Sequence, residues 1–539
     1  MTTRIVARRA LRLPLLSDDI IHAIVEQICM QIKDETDKRR SLVQLAYTCK
    51  TFSRHALPEL WAHLPSLRPL LSLLAPLRST RLRSVEPEDE QYDLYIDDES
   101  CSWVFDSAIT PIGTSRFREY AGRVRELDIR RYPQFESSVF TCIDDAGLHG
   151  PLLPALRVLL CETSPIMMTA VEAVCGPSLR SFAVVPSETP SMQSSSAESR
   201  RGLEARDPDL DSLLIRFQSS LPDLEVLRLG DGALQWEWHS VLALRDLRSL
   251  DISSWRLHTC TTDILRTLAT FPRLHTLRLH VRAVVGRPLP HPGGFQSLDY
   301  LSVRGNDSDV NLALRTIAPP RLRVLSLAGL GGFVAEPVLT RVCRRCASTL
   351  EEIHILDAEV EGVTLIDVLG PLFPAYNLRV FELDVSLSRV PFTDADLLTL
   401  AARWPALRRL DIKCSKGKLL PTLWGIADFA DACPFLEEVH IECVAWPYIH
   451  GNDEHRRKNN LKRLGLRRPD NIKEIRRRSD LIPRTVARVV SRLFPALDIE
   501  SSKEMIDANS SKAWGTFWGK ALDETAKVHR AQRVLDRPA

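Results

Sequence analysis

The sequence predicts an α/β solenoid, a curved parallel sheet with helices on its outer side, preceded by a small three-helix unit. Three observations predict this. The phrase L-x-x-L-x-L, with aliphatic or aromatic replacements, starts at Leu224, Leu247, Leu274, Leu298, Leu322, Leu350, Leu378, Leu407, Leu436 and Leu461, at intervals of 23, 27, 24, 24, 28, 28, 29, 29 and 25 residues. Helical stretches precede many of these phrases, and Pro222, Pro272, Pro405 and Pro434 stand between helix and phrase, where a helix must stop. Ahead of the repeats, apolar residues recur at helical spacing in three short runs.

Taken in order, residues 1–12 read as a basic tail. Arg4, Arg8, Arg9 and Arg12 give them a transit-peptide character, but no apolar signal core is present and Pro14 interrupts a helix. Ser17 or Asp18 can cap a first helix whose stripe is Ile20, Ile21, Ile24, Val25 and Ile28. Leu42, Leu45, Ala46, Cys49 and Phe52 mark a second, and Leu57, Leu60, Trp61 and Leu64 a third, so that this unit fills residues 13–64. Three short helices bury little on their own, and such a unit needs a partner to cover its remaining apolar face. Residues 65–80 read as one connecting helix. Residues 81–120 read as an acidic linker, because Glu86 to Glu99 holds eight acids and no base.

Weaker copies of the phrase at Val124, Leu156 and Leu179 extend the repeat over residues 121–500. Within each phrase, positions four and six alternate with polar ones, as a strand with one buried face requires. Positions three, five and seven should then line the open, concave face. Pro186 to Arg206 is Ser-rich and reads as a disordered insertion (186–206) between repeats. Trp514, Phe517, Trp518 and Leu522 share one helix face, so residues 501–539 read as a capping helix.

Composition sets the outer bounds. The chain has 539 residues, 44% hydrophobic and 26% charged, which is globular. Lys and Arg total 71 against 69 Asp and Glu, and a net charge of +2 argues against a wholesale nucleic-acid coat. The 12 cysteines are scattered with no secretory signal before them, which predicts reduced thiols and a cytoplasmic or nuclear setting. No apolar run approaches the ~18 residues of a membrane span.

Motifs for chemistry are missing. The sequence has no G-x-S-x-G elbow, P-loop, H-E-x-x-H or dinucleotide fingerprint. Cys343 and Cys346 form a lone C-x-x-C without the second pair that zinc needs. Asp207, Asp209 and Asp211 lack the EF-hand's Gly and Glu. Gly329 to Gly332 reads as a turn, and Asn306-Asp307-Ser308 as a glycosylation acceptor without consequence in the cytosol. Arg456 to Arg478 carries eleven bases and two acids, the pattern of a solvated face or an anionic-partner patch. The expectation is a non-enzymatic chain with no catalytic residue, cofactor or metal.

Leu13-Pro14, the Ile20/Ile21/Ile24 helix, Leu42 to Phe52 and Leu60-Trp61 together resemble an F-box. The resemblance implies docking on the Skp adaptor of a cullin–RING ubiquitin ligase, through Leu13, Pro14, Ile20, Ile21, Ile24, Leu42, Leu45, Leu60 and Trp61. The intervals between phrases fall in the leucine-rich-repeat range. The region resembles the irregular leucine-rich repeats of F-box proteins, particularly the fungal type, with the asparagine of regular repeats mostly missing. Recruitment of a target protein for ubiquitination is the implied function, with the transferase chemistry on other subunits. The other reading is a repeat scaffold acting outside any ligase. On the open face, Arg228, Arg278, His280 and Arg304 stand against Asp251 in the earlier phrases. Glu352, Glu382, Asp384, Asp411, Glu438 and Glu442 stand against Arg409 and Lys413 in the later ones. A two-toned face follows, its acidic half suited to a basic segment of the target.

Overall fold

The computed structural model describes residues 17–81, 101–130, 134–162, 165–185, 210–230, 237–252, 259–286, 294–317, 319–330, 337–360, 364–385, 390–414, 420–445, 459–469, 482–507 and 512–535. The tail, Leu13, Pro14, the acidic run 86–99 and the insertion 186–206 lie outside these residues, as does most of the basic run 456–478. Two compact units divide the chain, Met1–Leu244 and Arg245–Ala539.

The first unit opens with three helices, α1 (Asp18–Gln31), α2 (Glu35–Thr48) and α3 (Lys50–Ala62). Ser17 caps α1 by accepting from the Ile20 amide, and Asp34 caps α2 by accepting from Asp37. Their shared core is small: Val25, Leu42 and Ala56, with Ile28, Cys29, Leu45, Ala46 and Leu60 packed around them. α3 then passes directly into β1 (His63–Leu64). Next come α4 (Arg68–Leu71), β2 (Leu77–Arg81), β3 (Cys101–Phe105), α5 (Pro111–Ala121), β4 (Glu126–Ile129) and β5 (Gln134–Phe135). β6 (Val158–Glu162), β7 (Ser181–Val185) and β8 (Val226–Leu229) complete the strands of this unit. β1, β4, β6, β7 and β8 form the repeat sheet, with parallel neighbours, and β2, β3 and β5 form a separate sheet.

Two expectations are corrected here. The connecting helix of 65–80 is only the single turn α4, which gives way to turns after Leu71 and to β2 after Pro76; Leu67, Leu70, Leu71 and Leu74 are buried instead along an irregular path. The linker of 81–120 is folded from residue 101 onward. Trp103 in β3 is buried under the Arg68 guanidinium, 3.7 Å from its ring centroid, and Phe117 in α5 is buried too. Composition already changes at residue 101: residues 101–120 hold only two acids, Asp106 and Glu119, against the aromatic Trp103, Phe105, Phe117 and Tyr120.

The second unit holds β9 (Ser249–Ile252), β10 (Thr259–Thr261), β11 (Thr276–His280), β12 (Arg282–Val285), β13 (Tyr300–Arg304) and β14 (Val324–Ala328). β15 (Glu352–Leu356), β16 (Val380–Val385), β17 (Arg409–Cys414), β18 (Glu438–Val444) and β19 (Arg463–Pro469) follow. All but β10 and β12, which pair with each other, belong to one parallel sheet in sequence order. Each unit is thus a leucine-rich-repeat solenoid.

One backbone pattern builds the rungs. Within each unit the carbonyl at position two of a phrase accepts two amides from the next phrase: Arg323 N and Val324 N bond Asp299 O at 2.8 and 2.9 Å, and Glu351 N and Glu352 N bond Arg323 O at 2.8 and 3.0 Å. Leucines at positions one, four and six are consequently stacked rung on rung. Leu322, Leu325 and Leu327 are buried, as are Leu378, Phe381 and Leu383. Each such side chain contributes about 2 kcal/mol by leaving water. Helices flank the rungs, among them Asp307–Thr316, Pro337–Arg345, Asp394–Arg403 and Leu423–Ala432.

The single capping helix of 501–539 is also corrected. Three helices close this unit, Ile482–Leu493, Ile499–Asp507 and Lys512–Leu535. Phe517, Trp518, Ala521 and Leu522 are buried as the spacing requires, whereas Val486, Val490 and Phe494 supply the remainder of the cover. The first of these helices starts inside the stretch assigned to repeats, because its apolar stripe is not preceded by a strand phrase.

Successive repeats are also tied through helix starts. Asp394 accepts from the Thr422 amide at 2.7 Å and from its hydroxyl at 2.8 Å, and Thr422 in turn caps Leu423–Ala432 through the Gly425 amide. A Cβ at Gly425 would collide with that Asp394 carboxylate. Gly425→Ala should therefore destabilise the protein by about 1–3 kcal/mol in urea unfolding, although alanine is the better helix former. A stabilised variant would show that Asp394 can move aside.

Candidate functional site

The register of the second unit aligns one residue per strand into rows along the open face. Position five gives Asp251, Arg278, Ser302, Ser326, His354, Glu382, Asp411 and His440 on successive rungs. Position three gives Glu352, Val380, Arg409, Glu438 and Arg463 over the later rungs. Neighbours in a row are about 4.8 Å apart, so each charge meets those beside it first.

The charges answer one another. Arg278 lies 3.4 Å from Asp251 and 4.9 Å from the centroid of the Tyr300 ring, and Arg304 lies 3.3 Å from Asp357. Glu382 accepts from Lys413 Nζ at 2.8 Å and meets His354 Nδ1 at 3.1 Å. The other ring nitrogen of His354 is 3.5 Å from Glu352, and Lys413 also reaches Asp384 at 3.8 Å. Arg409 lies between Asp411 (3.6 Å) and Glu438 (3.7 Å), and Arg463 is 3.6 Å from Glu438. His440 Nδ1 is 3.1 Å from Asp411 Oδ1.

This network extends one expectation and corrects another. Beyond Arg409 and Lys413, already read against them, the carboxylates of the acidic half are laced with Arg463 and two histidines. Asp411 is not target-facing at all, being 3% exposed beside an equally buried His440. Glu352, Glu382, Asp384, Glu438 and Glu442 are half-buried on the open face, as is Arg278, while Arg228 and Arg304 are exposed on β8 and β13. Six acids against Arg409, Lys413 and Arg463 still leave the later rungs with an excess of negative charge. The sequence reading missed the histidines, whose signal is the pair of phrases LEEIHI and LEEVHI with His at position five.

Electrostatics follow the geometry. The bond from His354, together with that from Lys413 and against the effect of burial, holds the Glu382 carboxyl down at about 2. The same bond raises His354 above its ordinary value, burial opposing it.

The residues expected to dock an adaptor are divided between roles. Ile21 and Leu42 are buried, and Leu45 and Leu60 pack on the core of the three helices. Trp61 is half-buried against Tyr120 of α5, ring centroids 4.6 Å apart. Ile24 is half-buried and Ile20 is exposed at 48%. Met30 and Tyr47, which the sequence reading passed over, are exposed at 69% and 87%.

Other chemical features have structural work. Asn306 caps Asp307–Thr316. Burial pushes the Cys343 thiol up to about 12 and raises Cys346, the opposite of a reactive pair. Asp211, Glu237 and His239 lie within reach of one another, yet Asp211 is occupied in capping, accepting from the Glu237 amide and the Ser240 hydroxyl. Among the described residues, no helix is long and apolar enough to cross a membrane.

No protein-family model matches the chain, and no curated protein matches it. Among solved structures it is similar to an internalin from Listeria monocytogenes, at 10% identity over 68% of this chain and 82% of that one, with a TM-score of 0.27. It is also similar to a leucine-rich-repeat protein of Leptospira interrogans, at 12% identity over 60% and 62%, with a TM-score of 0.29. Likenesses this distant carry no argument, and the repeat fold stands on the chain's own rungs.

The His354–Glu382 pair makes stability depend on pH with a definite sign. A lowered Glu382 contributes fully above its usual 4.5, and this is lost as pH falls toward 2. A raised His354 contributes fully below its usual 6.5, and this is lost as pH rises through its folded value. His354→Gln should therefore cost about 1–2 kcal/mol in urea unfolding near pH 5.5 and clearly less near pH 8.5. Equal losses at both values would show that the imidazole charge is not engaged.

Proposed function

We propose that this chain is a non-enzymatic adaptor of a Skp–cullin–F-box ubiquitin ligase: its N-terminal helices dock a Skp-type subunit and its repeats capture a target protein. The leucine-rich-repeat fold supports the coarser statement that the chain is a protein-interaction scaffold. The finer one draws on the order of the helices, α1 to α3, which matches the F-box resemblance. One observation carries it. The three helices enclose a small fully buried cluster of Val25, Leu42 and Ala56 and leave Ile20, Met30 and Tyr47 outside. Exposed large apolar side chains on so small a unit are surface for a partner.

Capture is assigned to the open face of the second unit, where excess carboxylate suits a target with a basic segment. Asp384 and Glu442, half-buried at position seven of their phrases, are the acids best placed to meet it. Side chains held by their neighbours are ordered before the partner arrives, which reduces the entropy lost on binding.

The second reading is a scaffold acting outside a ligase, with the helices serving to begin the fold. It is favoured by the unbroken passage of α3 into β1 and by the stacking of Trp61 on Tyr120.

Ile20→Asp separates the two, because Ile20 is exposed and its loss should not unfold the helices. In co-expression with a Skp adaptor, the wild type should co-purify with it. Ile20→Asp should reduce recovery at least about tenfold with an unchanged circular dichroism spectrum. A wild type that binds no Skp adaptor would favour the scaffold.

A further inference from the structure

We propose that Arg125, Arg157 and Arg180, in the first unit, form a docking row for an extended acidic segment of a partner protein. This surface is separate from the one assigned to target capture and does not depend on the ligase reading.

The three arginines occupy position two of consecutive phrases. Arg157 N bonds Arg125 O at 2.7 Å and Arg180 N bonds Arg157 O at 2.9 Å, which places them on adjacent rungs of β4, β6 and β7. All three are exposed, and none has an ion-pairing carboxylate among the described residues. Of the nearby acids, Glu119 is taken by Arg123 at 2.7 Å and Glu126 by His63 at 3.4 Å, and the row ends at Glu225, which follows Arg180 on the next rung.

The architecture does not demand bases there. In the second unit the same position mixes signs: Asp299, Arg323 and Glu351 alternate before Arg379 and Arg408, and Glu351 lies 2.9 Å from Arg323 and 3.5 Å from Arg379. Glu437 and Lys462 pair likewise at 2.9 Å. Only in the first unit do three like charges stand on adjacent rungs. Guanidinium groups cannot shed their charge, so their repulsion persists until an anion arrives.

The layout selects the ligand. Three arginines at about 4.8 Å intervals make a line of roughly 10 Å, longer than one phosphate. An extended chain, rising about 3.3 Å per residue, presents successive carboxylates along such a line. Single-stranded nucleic acid would call for free aromatic platforms, and the neighbouring Tyr120 is already stacked on Trp61 and lies under Arg123.

The test titrates the full-length chain with a fluorescein-labelled glutamate-rich peptide, read by anisotropy at low and physiological salt. The wild type should bind, with affinity falling as salt rises. Arg125→Ala with Arg157→Ala and Arg180→Ala should weaken binding at least about tenfold and flatten the salt dependence. Arg157→Gln alone should give a smaller loss in the same direction, and Arg323→Ala with Arg379→Ala no loss. Absence of wild-type binding, or an unchanged triple variant, would overturn the proposal. So would displacement of the peptide by inorganic phosphate or a single-stranded oligonucleotide at equal concentration. Binding seen only once the acids of residues 86–99 are neutralised would also overturn it, in favour of the chain's own acidic run as occupant.

Discussion

Everything in this molecule depends on a single backbone contact repeated along each solenoid. The carbonyl at position two of a phrase accepts two amides from the next, so one strand cannot slide against its neighbour. Fixed register means that equivalent phrase positions stack. Positions one, four and six then need only be apolar and of similar size to build a continuous core. That tolerance explains why Phe381 can stand where other rungs have Leu or Ile, with Trp404 packed against it at 4.9 Å. It also explains how the sheet forms with so few of the asparagines that regular repeats carry, since amide-to-carbonyl bonds hold the rungs in place.

Fixed register has an electrostatic consequence as well. Side chains at equivalent positions are about 4.8 Å apart whether or not their charges agree. At about 5 Å, two unit charges interact by roughly 1 kcal/mol in water and 3 kcal/mol at an effective dielectric of 20. The open face of the second unit meets this constraint by interleaving bases among like neighbours such as Glu382 and Asp411, with Lys413 beside Glu382 and Arg409 between Asp411 and Glu438. Histidine extends the device: His354 is shared by Glu352 and Glu382 and can carry charge when the carboxylates require it. The position-two row of the first unit breaks the rule, and an unbalanced row is where a partner gains most.

Much of the repeat was legible because its information is local. Six residues carry the phrase, and the proline that stops a helix lies within a few residues of the next strand. Burial of positions four and six follows from alternation alone. What escaped was whatever joins residues 25 to 30 apart in the chain. Asp394 reads as an ordinary first-turn acid, and nothing nearby in the sequence points to Thr422. Asp411 reads as an exposed strand carboxylate until His440 and Arg409 are brought beside it. The folded segment from residue 101 was hidden for another reason: eight acids just before it dominate any average taken across the stretch. Trp61 matched a docking pattern, but its environment was decided by Tyr120, on a helix that the sequence reading had assigned to linker.

The relation between the N-terminal helices and the first rungs limits what those helices can do. α3 ends where β1 begins, the Arg125 amide bonds the Ala62 carbonyl at 2.9 Å, and Arg39 of α2 donates to the His63 carbonyl. These bonds begin the rung pattern, so the helices supply the solenoid's first strand as well as their own small core. Leu42, Leu45, Leu60 and Trp61 are committed inward by that task. What the fold leaves uncovered on these helices is Ile20, Met30 and Tyr47, the surface on which the proposed partner would have to act. Under the proposed docking role, capping and docking would fall to different residues of the same three helices, and neither would have to be given up for the other.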